Sequence, residues 1–261
     1  MMKKFILLLT LIFTITVNSQ YVILSAISLN EGAEDDYLKL EEFFNPIHDA
    51  AIEAGIQNGQ TLYKVTSESD SENAPDYIIL TNFSSKEQLD KYNQSWANND
   101  WLPFAQNVYK GKMSKRSVLR IMNTIGSFSN ERRNYHIQVT DATISAGGDL
   151  KPGDVAFMLP MTKKTDDFEN YESEVWKPIA ERLILDGNHR FWALGNVYER
   201  TENAYDYMTH FAYNLANNDF NLFEYVQDQM NSSFKMQKLW EGIQSSRDMA
   251  DPIYLEVIST H

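Results

Sequence analysis

The sequence predicts an α+β protein made of two tandem copies of one β-α-β-β-α-β unit, and three observations carry that prediction. Residues 40–65 (LEEFFNPIHDAAIEAGIQNGQTLYKV) align with residues 172–197 (ESEVWKPIAERLILDGNHRFWALGNV) at a constant offset of 132. Glu42 meets Glu174, Phe44 meets Trp176, Pro46-Ile47 meets Pro178-Ile179, Gly55 meets Gly187, Leu62 meets Leu194 and Val65 meets Val197. A second block, Glu72-Asn73-Ala74-Pro75-Asp76-Tyr77, faces Glu202-Asn203-Ala204-Tyr205-Asp206-Tyr207 at an offset of 130 with five of six residues identical. Thirdly, apolar periodicities of two and of 3.6 residues follow one another in the same order in both halves. A further echo, Ala97-Asn98-Asn99-Asp100 against Ala216-Asn217-Asn218-Asp219, needs an offset of 119.

In the first copy Tyr21–Leu29 is apolar and rich in β-formers, and reads as a strand. Gly32-Ala33-Glu34-Asp35-Asp36 is a turn with an acidic helix start, which suits the helix dipole. Tyr37, Leu40, Phe44, Ile47, Ala51 and Ala54 recur at helical spacing, and Gly55 ends that helix. Thr61–Thr66 and Tyr77–Phe83 read as two strands, Lys86–Lys110 as helix interrupted near Pro103, and Ser117–Ile125 as a fourth strand. The second copy repeats this with strand Asp154–Met161, helix Asp166–Leu185, strands Phe191–Tyr198 and Tyr207–Tyr213, a helical stretch over 219–243 and strand Ile253–Ile258. Pro46 and Pro178 fall at matched places inside the first helix of each copy, where each removes a backbone donor.

Four segments follow: a leader at 1–19, a first repeat at 20–127, a connection at 128–153 and a second repeat at 154–261. The connection holds Arg132-Arg133, a candidate edge strand Tyr135–Val139 and the turn-rich Ala146-Gly147-Gly148 run. The leader begins Met1-Met2-Lys3-Lys4, continues with the apolar run Phe5–Val17 and ends Asn18-Ser19 before Gln20. That is the layout of a secretory signal peptide, and a run of about 13 residues is too short for a membrane span of about 20. It resembles the leaders of exported Bacteroidota proteins, which implies a periplasmic or secreted protein. No second apolar run of spanning length follows, so the mature chain is expected to have no membrane span.

Composition excludes several classes. The formal charge is −13, from 23 Lys and Arg against 36 Asp and Glu, which opposes binding to nucleic acid. There is no cysteine, which removes disulfides, thiolate metal sites and cysteine nucleophiles. Aromatic residues are plentiful, with 14 Tyr, 14 Phe and 5 Trp.

The helix Glu-x-Phe/Trp-x-Pro-Ile…Gly followed by an aromatic-rich hairpin, set in a ferredoxin-like β-α-β-β-α-β order in both copies, resembles the dimeric α+β barrel superfamily. The likeness covers nearly the whole mature chain and rests on pattern. It implies two units packed sheet to sheet into a barrel within one chain, with self-association not required for closure. It also implies a cavity between helices and sheet in each unit. Members of the superfamily include cofactor-free monooxygenases, haem-binding and haem-degrading enzymes and stress proteins.

No hydrolase, nucleotide-binding or paired-histidine metal motif is present, so no metal site is expected. A small apolar or aromatic ligand is the favoured partner, without a cofactor. The alternatives are an oxidative enzyme, cofactor-free or haem-dependent, and a stress or interaction protein without a pocket. The second copy is richer in Trp and His near its hairpin, so its pocket is expected to be the open one. Its candidate lining residues are Trp176, His189, Arg190, Trp192, Tyr207 and His210, and those of the first copy are Phe44, His48, Tyr63 and Tyr77. A neutral imidazole at His189 or His210 could ligate haem or act as a base near pH 7.

Overall fold

The computed structural model describes residues 20–67, 74–217 and 222–261. The leader, Glu72-Asn73 of the first hexapeptide and Asn218-Asp219 of the weakest echo lie outside them. The first half runs β1 (Tyr21–Leu29), α1 (Glu34–Glu53), β2 (Gly59–Val65), β3 (Tyr77–Phe83), α2 (Lys86–Ala97), α3 (Trp101–Val108), α4 (Lys115–Met122) and β4 (Ser129–Ala142). The second runs β5 (Val155–Lys163), α5 (Phe168–Asn170), a π-helical turn (Tyr171–Trp176), α6 (Lys177–Leu185), β6 (His189–Arg200), β7 (His210–Ala216), α7 (Leu222–Asn231), α8 (Phe234–Ser246), β8 (Arg247–Met249) and β9 (Ile253–Thr260).

Each half has the strand order that the β-α-β-β-α-β unit demands: β4-β1-β3-β2 in the first and β9-β5-β7-β6 in the second. The halves join edge to edge. β4 pairs with β6 at one seam and β2 with β9 at the other, both antiparallel, and eight strands close into a barrel. An eight-stranded barrel is just wide enough for side chains to fill. Leu24, Tyr63, Ile78, Tyr135, Met158, Phe211 and Leu255, drawn from seven strands, form one buried cluster there. Closure removes the free sheet edges that an isolated half would expose.

The first helix of each half ends in the same motif. Gly55 N–H donates to the Ile52 carbonyl and Ile56 N–H to that of Ala51. Gly187 N–H donates to Ile184 and Asn188 N–H to Leu183 in the same way. These are paired Schellman bonds, and both glycines have the positive φ (69° and 76°) that the motif needs. The matched prolines have different consequences: α1 runs through Pro46, whereas the residues before Pro178 widen into the π turn, with Lys177 N–H donating to the Glu172 carbonyl.

Three sequence expectations are corrected. Ser117–Ile125 is not a strand. Most of it lies in α4, which opens on the Ser114 side chain accepting from Ser117 N–H (3.1 Å) and buries Val118 and Met122, one turn apart. A short apolar run with a serine cap fits either period, and the cap decides. The fourth strand is instead β4, taken from the expected connection; at 14 residues it reaches β1 on one side and β6 on the other. The matching hexapeptides are out of structural register: Tyr77 pairs with Ile27 at the start of β3, while the equivalent β7 position, paired with Met161, is His210 rather than Tyr207. The weakest echo also fails, since Ala97 ends a helix and Ala216 a strand. The helix break near Pro103 falls at Asn98–Asp100, with Asn99 at φ 60°, and Pro103 sits in the first turn of α3, where its missing donor costs nothing.

Candidate functional site

The strands show opposite faces to the barrel interior and to the helices. On the helix side of the first half lies a cavity of about 530 Å³. Its floor is the outer face of the sheet: Ile23, Ser25 and Ile27 of β1, Gln60 of β2, Ile79 and Thr81 of β3, and Arg132, Asn134 and His136 of β4. Tyr37, Leu40, Glu41, Phe44 and His48 of α1 form the roof, and Tyr92, Asn93 and Trp96 of α2 one wall. Ile125, Gly126 and Phe128 before β4, and Ser129, Asn130 and Glu131 at its start, complete the lining.

Sheet register explains why this space is open and its counterpart is not. Ser25 pairs with Ile79 and Leu159 with Ala212; Gln60 pairs with Thr81 and Trp192 with Asn214. The small or polar Ser25 and Gln60 of the first half therefore occupy the places of Leu159 and Trp192 in the second. With Phe157, Trp176, Ala180 and Leu183, those two residues belong to a packed cluster beneath the second half's helices. The pocket expected in the second copy is filled by the aromatic residues that suggested it.

The cavity has an apolar body and a polar rim. Ser25 Oγ donates to Asn134 Oδ1 (2.6 Å) and accepts from the Arg132 guanidinium (3.2 Å), so one serine fixes two neighbours. Burial raises the affinity of the Glu41 carboxyl for its proton, opposed by the Tyr37 hydroxyl and the Arg132 charge. Burial also raises the Tyr92 hydroxyl, and carries that of Tyr37 well above the ordinary phenol range.

His48 is tied down. Thr81 donates to Gln60 Oε1 (3.4 Å), which turns the Gln60 amide nitrogen to His48 Nε2 (2.7 Å). An imidazole nitrogen facing an amide N–H must be an acceptor, so His48 is neutral and carries its proton on Nδ1. That nitrogen faces the Gln57 amide at 3.4 Å, and exchanging the amide's two ends would give its otherwise unpartnered Oε1 the proton. Burial, then the nearby His261, pull the His48 pKa down to about 3. A ring so held is a positioned wall rather than a base working near pH 7.

The other candidates lie elsewhere. Tyr63 points into the barrel, its hydroxyl 3.0 Å from that of Tyr213. Tyr77 packs on Tyr37 behind the cavity and donates to Glu34 (2.7 Å). Arg190 pairs with Asp154 (2.8 Å) and holds the carbonyls of Gly148 and Asp149, clamping the connection to the second half. His189 is buried, and burial lowers it to about 4. His210 contacts Thr209 and the Phe168 ring, and Tyr207 is half exposed on the surface. Of the ten, Phe44 and His48 line the cavity. The sequence pattern singled out none of Ser25, Glu41, Gln60, Arg132 and Asn134 as lining residues. The offset of 132 does place Gln60 opposite Trp192, and a polar residue facing a large apolar one in the sister copy was the available signal.

Of the two cavity histidines, His48 has both ring nitrogens engaged, whereas His136 has its Nδ1 3.3 Å from Glu199 Oε2, which leaves Nε2 for another partner. Among the described residues no cluster of three or more His, Asp or Glu could hold a metal ion, and no helix is long and apolar enough to cross a membrane.

No protein-family model and no curated protein matches the sequence. Solved structures do match the fold. An inferred monooxygenase from Fusobacterium nucleatum superposes with a TM-score of 0.56 at 10% identity, covering 94% of this chain and 95% of its own. An inferred monooxygenase from Lactobacillus acidophilus NCFM gives 0.54 at 12% identity, covering 93% and 95%. An anthrone oxidase-like protein gives 0.52 at 11% identity, covering 94% and 93%. With both four-stranded halves in one polypeptide and closed edge to edge, the chain has the dimeric α+β barrel fold as an intramolecular pair.

Proposed function

We propose that the protein binds one small, mainly aromatic molecule in the helix-side cavity of its first half. The observation that supports this most is the cavity itself: about 530 Å³, walled by Phe44, Tyr92 and Trp96 and polar at one side, opposite a sister site filled with tryptophan. A volume in that range with a few convergent polar groups is the usual form of a small-molecule site. The space favours this reading over a stress or interaction protein without a pocket.

Trp96 reports on the site, being both part of the lining and partly exposed. Titration with naphthalene is expected to quench its fluorescence saturably, and a Ser25→Leu/Gln60→Trp variant to abolish the effect while the circular dichroism stays unchanged. Equal quenching in the variant would defeat the proposal.

An oxidative reaction in the same cavity is a second reading. It draws on the two inferred monooxygenases and the anthrone oxidase-like protein among the fold's relatives, and on Glu41, a cavity carboxyl whose proton affinity is raised by burial. Such a group takes a proton from an acidic substrate more readily than an ordinary carboxylate does. Oxygen uptake with a 1,8-dihydroxyanthrone probe, compared between the native chain and Glu41→Gln, tests it. We further propose that the protein is exported, on the strength of the Lys3-Lys4 start and the Phe5–Val17 run. Expression in a Gram-negative host should yield a mature chain beginning at Gln20, and a cytoplasmic product that retains Met1 would oppose export.

A further inference from the structure

Resting on the reading of the cavity as a ligand site, we infer that its ligand is a neutral hydroxylated aromatic, whose hydroxyl donates to Glu41 and accepts from Arg132. Two charged side chains of opposite sign, Glu41 on α1 and Arg132 on β4, line the same cavity from roof and floor. The Arg132 charge favours the ionised form of Glu41, yet among the described residues the two form no direct ion pair. Ser25 spends its hydrogen on Asn134 and a lone pair on Arg132, so the guanidinium is held with further N–H groups to offer. A hydroxyl is the simplest group that donates to a carboxylate and accepts from a guanidinium at once. Both bonds involve a charged partner, the stronger kind.

Charge balance decides between a hydroxyl and an acid. With Glu41 ionised, a state that the Arg132 charge favours against the effect of burial, one Glu and one Arg cancel, and a neutral ligand leaves that balance intact. A carboxylate ligand would set a second negative charge near Glu41, in a protein whose formal charge is already −13. The aromatic body is inferred from the rings of Phe44, Tyr92 and Trp96, which share the lining with Ile23, Ile27 and Ile79.

The test compares 2-naphthol, 2-methoxynaphthalene, naphthalene and 2-naphthoate by isothermal titration and Trp96 quenching of the full mature chain. The expected order places 2-naphthol at least about tenfold tighter than naphthalene and 2-methoxynaphthalene, as a charge-assisted hydrogen bond supplies, with 2-naphthoate weakest. Glu41→Gln and Arg132→Met should each bring the affinity for 2-naphthol close to that for naphthalene measured in the same variant. Arg132 lies at the exposed rim, so its variant serves as the folding-safe check on the Glu41 result. Equal affinity for naphthol and naphthalene, or tighter naphthoate, overturns the hydroxyl assignment and leaves the cavity reading standing. Failure of all four probes to bind overturns both.

Discussion

Truncating Trp192 should do two things at once: weaken the fold and open a second cavity. Trp192 is fully buried on β6 and packs in the cluster of Phe157, Trp176 and Leu183. Removing a buried Trp side chain costs about 3–5 kcal/mol through lost transfer energy and the space left behind. Two features set where in that range the loss falls. The neighbours are rings mounted on a closed barrel and on a helix, so the site collapses poorly. Against this, Trp192 Nε1 is a buried donor without a partner among the described residues, and its removal relieves a penalty of about 1–3 kcal/mol. The balance lies near the lower end, about 3 kcal/mol. The Trp192 backbone accepts from Thr143 N–H (2.9 Å) and donates to Thr143 Oγ1 (3.0 Å), and neither bond depends on the indole, so both should persist. Urea unfolding followed by circular dichroism would read the loss as a lower midpoint at unchanged slope. Naphthalene titration should reveal a second binding equivalent in Trp192→Ala. A loss below about 1 kcal/mol, or no second equivalent, would refute the view that this residue closes the second site.

Two further outcomes follow from buried charge. His48 and His189 are lowered to about 3 and about 4 from an ordinary 6.5, chiefly by burial, so the unfolded chain binds more protons than the folded one between those values. Stability should therefore rise with pH from about 3 to 6.5 and fall on acidification, by a few kcal/mol; a His48→Gln/His189→Gln variant should flatten that slope in pH-dependent urea unfolding, and an unchanged slope would contradict it. In the second half, Glu172 of the π turn and Arg247 of β8 form an ion pair that is almost wholly buried. Glu172→Gln or Arg247→Met alone should cost about 3–5 kcal/mol, and the double replacement clearly less than the sum, as read from a double-mutant cycle.

How far the sequence revealed this molecule depended on the kind of signal. The duplication was legible because Gly55 and Gly187 end the first helices in one motif, and only glycine takes that backbone readily. The central strands were legible because Val22–Ile27 and Val155–Met161 are dense in residues that must be buried. β4 was harder: its Arg132-Arg133-Asn134-Tyr135-His136-Ile137 run alternates because one face meets the barrel interior and the other a polar cavity rim. Such a strand carries few apolar residues and passes for a linker. The hexapeptide match misled because identical letters there fall in a loop in one copy and at a strand start in the other. Aromatic richness suits a buried sheet face as well as a pocket, since large rings close space as readily as they line it. The open site lies where Ser25 and Gln60 are too small or too polar to fill the room that Leu159 and Trp192 fill in the sister copy.

The claim on which the rest depends is the placement of the ligand beneath α1 of the first half, and an anomalous-diffraction experiment reaches it directly. Crystals of residues 20–261 soaked with 6-bromo-2-naphthol should show one bromine peak between α1 and the outer face of β1, beside Phe44 and Trp96, with the phenolic oxygen toward Glu41 and Arg132. A peak between Trp176 and Trp192, or none at saturating concentration, would contradict it.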